Sequence, residues 1–201
     1  MAQVKKWIFF FSNFQNPKKN EENCGGFIGS ATNCVIQNCT IQNTLVHCTS
    51  NGVGGFVGYM MVGVLQNCFQ LGLTSNPNCT VVLADSTFAG GLIGTCIFCN
   101  VSQSGVQGGM IQSTGIAGGV AGIFQNSNIS QTYVTSNVTV KTATASCPVG
   151  GMAGKICSAG TVSFLNCYSN AFVSPGTCSG GFLGTVTSDP IVLSFTNGLK
   201  R

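Results

Sequence analysis

The sequence predicts an all-β fold, a right-handed parallel β-helix of about six coils with roughly 30 residues in each. Three observations carry this. The pattern Gly-Gly-apolar-apolar-Gly starts at Gly25, Gly54, Gly90, Gly118, Gly150 and Gly180, in steps of 29, 36, 28, 32 and 30 residues. A period in this range marks stacked repeats. Each copy is followed by short strand-like segments between Gly, Asn and Ser turns, with no helical period. Finally, Asn38-Cys39 and Asn67-Cys68 stand at the same offset from their glycine pairs.

Residues 1–23 form an N-terminal extension: glycine-free, rich in charge and carrying the aromatic run Trp7 to Phe11. That run is short of the ~7–15 apolar residues of a signal-peptide core. It reads as an extra strand closing the first coil or as a remnant of a longer hydrophobic segment. Residues 24–201 form the solenoid. Within a repeat the glycine stretch is read as a corner, where a missing side chain lets backbones pass closely. Phe27, Phe56, Leu92, Val120, Met152 and Phe182 are then an inward stack. A second segment follows, as in Val35 to Cys39 and Val64 to Cys68. Gln103-Ser104 and Gln131-Thr132 take the Asn-Cys positions in repeats three and four, and Asn166-Cys167 comes three residues later in repeat five. A third segment completes each coil, as in Thr44 to His47, Thr80 to Leu83 and Val138 to Val140. Coils stacked at about 4.8 Å make a rod roughly 30 Å long.

Gly54-Gly-Phe-Val-Gly58 followed by Val64-Leu-Gln-Asn-Cys68 resembles the GLUG repeat, with Asn166-Cys167-Tyr168 matching its middle element and Asn67-Cys68-Phe69 close to it. The resemblance covers residues 24 to about 199. It implies a secreted or surface-attached protein of the kind used as stalks, adhesin regions and appendages of surface enzymes.

Charge narrows the function. Only 6% of residues are charged, against roughly 25% in an average domain. Between Asn23 and Leu199 there are only Asp85, Lys141, Lys155 and Asp189. Nucleic-acid binding needs clustered Lys and Arg, so it is excluded as an expectation. No apolar run reaches the ~18 residues of a transmembrane helix. Catalysis by acid and base needs a positioned pair, whereas His47, Asp85 and Asp189 fall at unrelated offsets. The glycine pattern recurs six times, unlike a phosphate loop, which occurs once and opens a helix. No cofactor or metal is expected.

Twelve cysteines fit disulfides in an oxidising compartment. Sequons at Asn38, Asn78, Asn100, Asn128 and Asn137 add to an extracellular, eukaryotic secretory reading, which would make the chain a piece of a longer precursor. Cys39 and Cys68 fall about 4.8 Å apart in adjacent coils, inside the ~4.4–6.8 Å disulfide window, and a buried thiol stack fits the same positions. Cys147 and Cys178, three and two residues before consecutive glycine pairs, form a second candidate bridge. Cys96 and Cys99 are a third candidate or a pair of buried thiols.

The function expected is a non-enzymatic building block of a glycosylated extracellular filament, sheath or coat, self-associating by stacking coils end to end. The alternative is an adhesin-like module that binds glycans or a host surface through the Thr74 to Phe88 span. A polysaccharide-degrading enzyme is a third reading.

Overall fold

A computed structural model describes residues 7–10, 14–15, 23–49, 51–72, 81–84, 87–157, 160–187 and 191–196. Its thirty strands form five parallel sheets of six strands each, the β-solenoid that the glycine period predicts.

Five complete coils run from Asn23 to Val173, each giving one strand to every sheet in the same order. In the first coil these are Asn23–Gly25 (sheet one), Ile28–Thr32 (sheet two), Val35–Gln37 (sheet three), Cys39–Gln42 (sheet four) and Leu45–Cys48 (sheet five). Ser179–Gly180, Leu183–Thr187 and Ile191–Thr196 continue sheets one to three beyond the fifth coil. Before the first coil, Trp7–Phe10 pairs with Cys39–Gln42 and Phe14–Gln15 pairs with Val46 and His47. Trp7–Phe10 of the aromatic run is therefore a strand of the solenoid.

Where the sequence suggested three segments per coil, the structure has five strands. The reason lies at the corners. Sheet one ends on the first glycine of each pair and sheet two starts three residues later, so the glycine motif bends between two strands. A Cβ on any of the six first glycines would come within 3.0 Å of the carbonyl oxygen three residues ahead. A Cβ on Gly26, Gly55, Gly91, Gly119 or Gly151 would strike the carbonyl oxygen of the second glycine in the next coil, again inside 3.0 Å. The same contact is a hydrogen bond from the other side: Gly55 N–H donates to Gly91 O at 3.0 Å and Gly91 N–H to Gly119 O at 3.1 Å. Glycine is required here for close approach. Behind this corner Phe56, Leu92, Val120 and Met152 form a fully buried stack, as expected, with Phe27 and Phe182 packed against the core at its ends.

Two further corners turn on single residues in the left-handed conformation. Between sheets two and three these are Asn33, Val62, Phe98 and Asn126, with φ from 47° to 53°. Between sheets three and four they are Asn38, Asn67, Gln103, Gln131 and Asn166, with φ from 48° to 57°. Asn tolerates this region because its short amide bonds locally. Asn166 rejoins the column because its coil has a six-residue strand, Gly160–Leu165, where earlier coils have three residues. The residue after each turn faces inward and caps the carbonyl two residues back. Cys39 Sγ donates to Gln37 O at 3.1 Å, Cys68 Sγ to Gln66 O at 3.3 Å, Ser104 Oγ to Ser102 O at 2.7 Å and Thr132 Oγ1 to Ser130 O at 2.9 Å. One coil's cap also accepts from its neighbour, as Cys68 N–H donates to Ser104 Oγ at 3.1 Å. Such a site needs a small side chain that donates and accepts, which Cys, Ser and Thr all supply.

The glycine corner supplies the sharpest test of this architecture. Gly119→Ala is expected to destabilise the chain by about 4 kcal/mol or more, the range of rare backbone-clash mutations. A thermal melt within a few degrees of the unsubstituted protein would contradict the close-approach account.

Candidate functional site

On sheet four, side chains from several coils converge around a hollow with both aromatic and amide walls. Two residues beyond each left-handed corner its strands point outward, giving the column Thr40, Phe69, Gly105, Tyr133 and Tyr168. Gly105 leaves a gap in this ladder, and the Tyr133 ring lies over it: a Cβ on Gly105 would sit 2.6 Å from Tyr133 Cζ. The ring thereby reaches Phe69, two coils away, with centroids 6.3 Å apart and planes tilted 39°. On its other side Tyr133 stacks on Tyr168 at 5.5 Å and 10°. The Gln107 amide donates to the Tyr133 hydroxyl.

The hollow beside these rings has a volume of about 420 Å³, within the ~300–1,000 Å³ of ligand pockets. Phe69, Leu71 and Tyr133 give its apolar wall, and Thr40, Gln107, Asn38 and Asn67 its polar one. Asn67 Nδ2 donates to Asn38 Oδ1 at 2.7 Å, so two corner amides form a fixed rung. Next to it runs a second ladder, Gln37 Nε2 to Gln66 Oε1 at 2.9 Å and Gln66 Nε2 to Gln103 Oε1 at 3.1 Å.

The cysteines are arranged otherwise than expected. Among the described residues a disulfide joins Cys24 to Cys48, the first and last strands of one coil, which the spacing between repeats does not reveal. Closing a loop of this length stabilises by about 3.5 kcal/mol in the chain-entropy account. Cys39, Cys68, Cys96, Cys99, Cys147 and Cys178 are thiols, so the three candidate bridges are not formed. Cys39 and Cys68 do occupy adjacent rungs, but as corner caps: they form the buried thiol stack. Cys96 and Cys99 are likewise buried thiols, Cys99 Sγ donating to Ile97 O at 3.2 Å. Cys147 misses Cys178 by one residue, since the register that pairs Val149 with Ser179 sets Cys178 beside Pro148. Burial pushes the Cys96 thiol well above its usual range and holds Cys68 at about 12.

Of the sequons, Asn137 is exposed in a turn, its side chain accepting a hydrogen bond from Thr135 Oγ1. Asn100 and Asn128 are exposed on sheet three but pair directly across adjacent coils, Asn128 Nδ2 donating to Asn100 Oδ1 at 3.2 Å. Asn38 is half-buried against Asn67, and its sequon Thr40 is buried. Asn78 lies outside the described residues, as does most of the Thr74 to Phe88 span. His47 sits in sheet five opposite Leu83. Asp85 and Asp189, with Glu21 and Glu22, lie outside the described residues. Among the described residues there is no group of three or more potential metal ligands, and no helix long and apolar enough to cross a membrane. Comparisons with family models, curated proteins and solved structures found no match.

Sequence reasoning missed the groove. Phe69, Gly105, Tyr133 and Tyr168 belong to four repeats, but each stands two residues after Asn67, Gln103, Gln131 or Asn166, so alignment on the corner column would have found them.

Two outcomes follow from these positions. A thiol that stays protonated to about 12 when folded, but ionises near pH 8.5 when unfolded, favours the unfolded state between those values. Its stabilising contribution is intact below about pH 8.5 and declines by about 1.4 kcal/mol per unit above it, until the folded thiol ionises. Cys68→Ser, which copies Ser104, should reduce the alkaline decline by that slope in urea titrations; an unchanged decline would rule Cys68 out as its source. For the sequons, mass spectrometry of protein from a glycosylating host should find glycan at Asn137. It should not find Asn100 and Asn128 both occupied, because about 4.8 Å between rungs leaves no room for two glycans.

Proposed function

We propose that this chain is a non-enzymatic structural protein of an extracellular filament, sheath or surface coat, and that its rods lengthen by stacking one solenoid on the next. The observation that carries the reading is Gly181. Five second glycines in the series face the carbonyl of the following coil. Gly181 has the same place in the motif, yet among the described residues nothing lies within 4 Å of the Cβ it lacks. Among the described residues this corner keeps its close-approach geometry without a layer upon it, which is the shape a further layer requires.

Its surroundings support the same reading. Ser179–Gly180 and Leu183–Thr187 each have a strand on one side only, among the described residues. Unpaired edges of this kind recruit other strands unless charge or proline blunts them, and the solenoid body is poor in charge. Large apolar side chains are exposed on the last layers: Phe172 at 63%, with Leu165, Tyr168 and Val186 above 40%. Trp7–Phe10 illustrates the docking mode, since it adds to sheet four by parallel pairing without belonging to a complete coil. The Cys24–Cys48 bridge is compatible with an oxidising, extracellular setting, and the motif resemblance to GLUG repeats points the same way.

Electron microscopy and sedimentation of Gly181→Val beside the unsubstituted protein test this. The unsubstituted chain should form concentration-dependent rods, and the variant should remain a monomer with an unchanged melting temperature. Monodisperse behaviour of the unsubstituted protein at high concentration, or equal assembly by the variant, would overturn the proposal.

A further inference from the structure

We propose that the sheet-four hollow is a binding site for a neutral oligosaccharide, one that works on the single rod and does not depend on assembly. Three features of the site select this ligand.

The first is its mixture of surfaces. A sugar ring presents apolar C–H patches beside hydroxyl groups, and the hollow presents aromatic carbon from Phe69 and Tyr133 beside the Asn38–Asn67 rung and Gln107. A primary amide has two N–H donors and an oxygen with two lone pairs. The rung bond uses one donor of Asn67 and one acceptor position of Asn38, so the groove wall keeps both kinds of group. A hydroxyl both donates and accepts and can satisfy either. A proline-rich segment, the other common occupant of aromatic grooves, brings carbonyl acceptors without N–H donors at its prolines and would leave the amide oxygens unpaired, which is costly once water is excluded.

The second is the absence of charge. None of the described residues lining the hollow is ionic. Phosphate, sulfate and uronate groups would find no cation among them, so an anionic polymer is disfavoured.

The third is preorganisation. Tyr133 is held against rotation by Gly105 beneath it, Tyr168 stacked on it and the Gln107 amide on its hydroxyl. Sites whose rings and amides are already fixed spend less of the binding free energy on ordering them. The strands of sheet four beneath the hollow are paired on both sides, so a peptide cannot add to the sheet here.

The test uses protein made without N-glycans, so that Asn38 is bare. An array of neutral oligosaccharides (gluco-, xylo-, manno- and N-acetylglucosamine oligomers) identifies the best probe, and calorimetry then measures its affinity. Binding should be insensitive to salt between about 0.05 and 0.5 M, as expected for an uncharged ligand. Gln107→Ala and Tyr133→Ala should each weaken it about tenfold or more, the scale of losing an oriented hydrogen bond or ring contact. Circular dichroism checks that each variant is folded, and Gln107→Ala, whose side chain is at the surface, keeps the test decisive if Tyr133→Ala does not fold. The proposal falls if no neutral oligosaccharide binds, if folded Gln107→Ala retains full affinity, or if binding is lost with salt. Capture of a proline-rich peptide at these residues in place of the sugars would also overturn it.

Discussion

The contact on which this molecule depends is between glycines of successive coils. In five of the six motifs the second glycine lies where a Cβ would collide with the carbonyl of the next coil's second glycine, and the N–H groups of Gly26, Gly55 and Gly91 donate to that same oxygen. The spacing of the stack is thereby fixed at one corner, and the other four sheets inherit it. Fixed spacing lets Phe56, Leu92, Val120 and Met152 meet as a continuous buried column, and lets Gln37, Gln66 and Gln103 align into an amide ladder outside. In a solenoid each layer touches only its neighbours, so a local requirement of this kind propagates along the whole rod.

The remaining corners show why Cys, Ser and Thr interchange. Each follows a left-handed residue and places a small donor over the carbonyl two residues back. Cys39, Cys68 and Cys167 occupy this column with Ser104 and Thr132. At the preceding corner, between sheets two and three, Cys99 and Ser127 make the same bond. Much of the high cysteine content is therefore corner chemistry, and its weight as a sign of disulfides is smaller than the count suggests. Val62 and Phe98 also take left-handed corners, although neither has a side chain that bonds locally.

The coil, its period and the glycine corner were legible because each repeats with one residue type at one place. The five-strand division was not, although Asn33, Asn38 and Asn43 mark three corners at five-residue steps in the first coil. Reading Val35 to Cys39 as one segment passed over the turn at Asn38. The Cys24–Cys48 bridge was hidden because it closes a coil across its own ends, and spacing between repeats says nothing about that. The groove was hidden because it is defined partly by a residue with no side chain, Gly105, lying between Phe69 and Tyr133.

That bridge also gives the rod a mechanical direction. A stack of coils held by neighbour contacts peels from its ends, one layer at a time. On one side the first complete coil is locked into a ring by Cys24 and Cys48, with all five of its strands paired to the next. On the other, among the described residues, the layers are held by hydrogen bonds and packing alone. Within the described residues, layers pulled apart should therefore come away more readily on the far side than through the ringed coil, which acts as a ferrule.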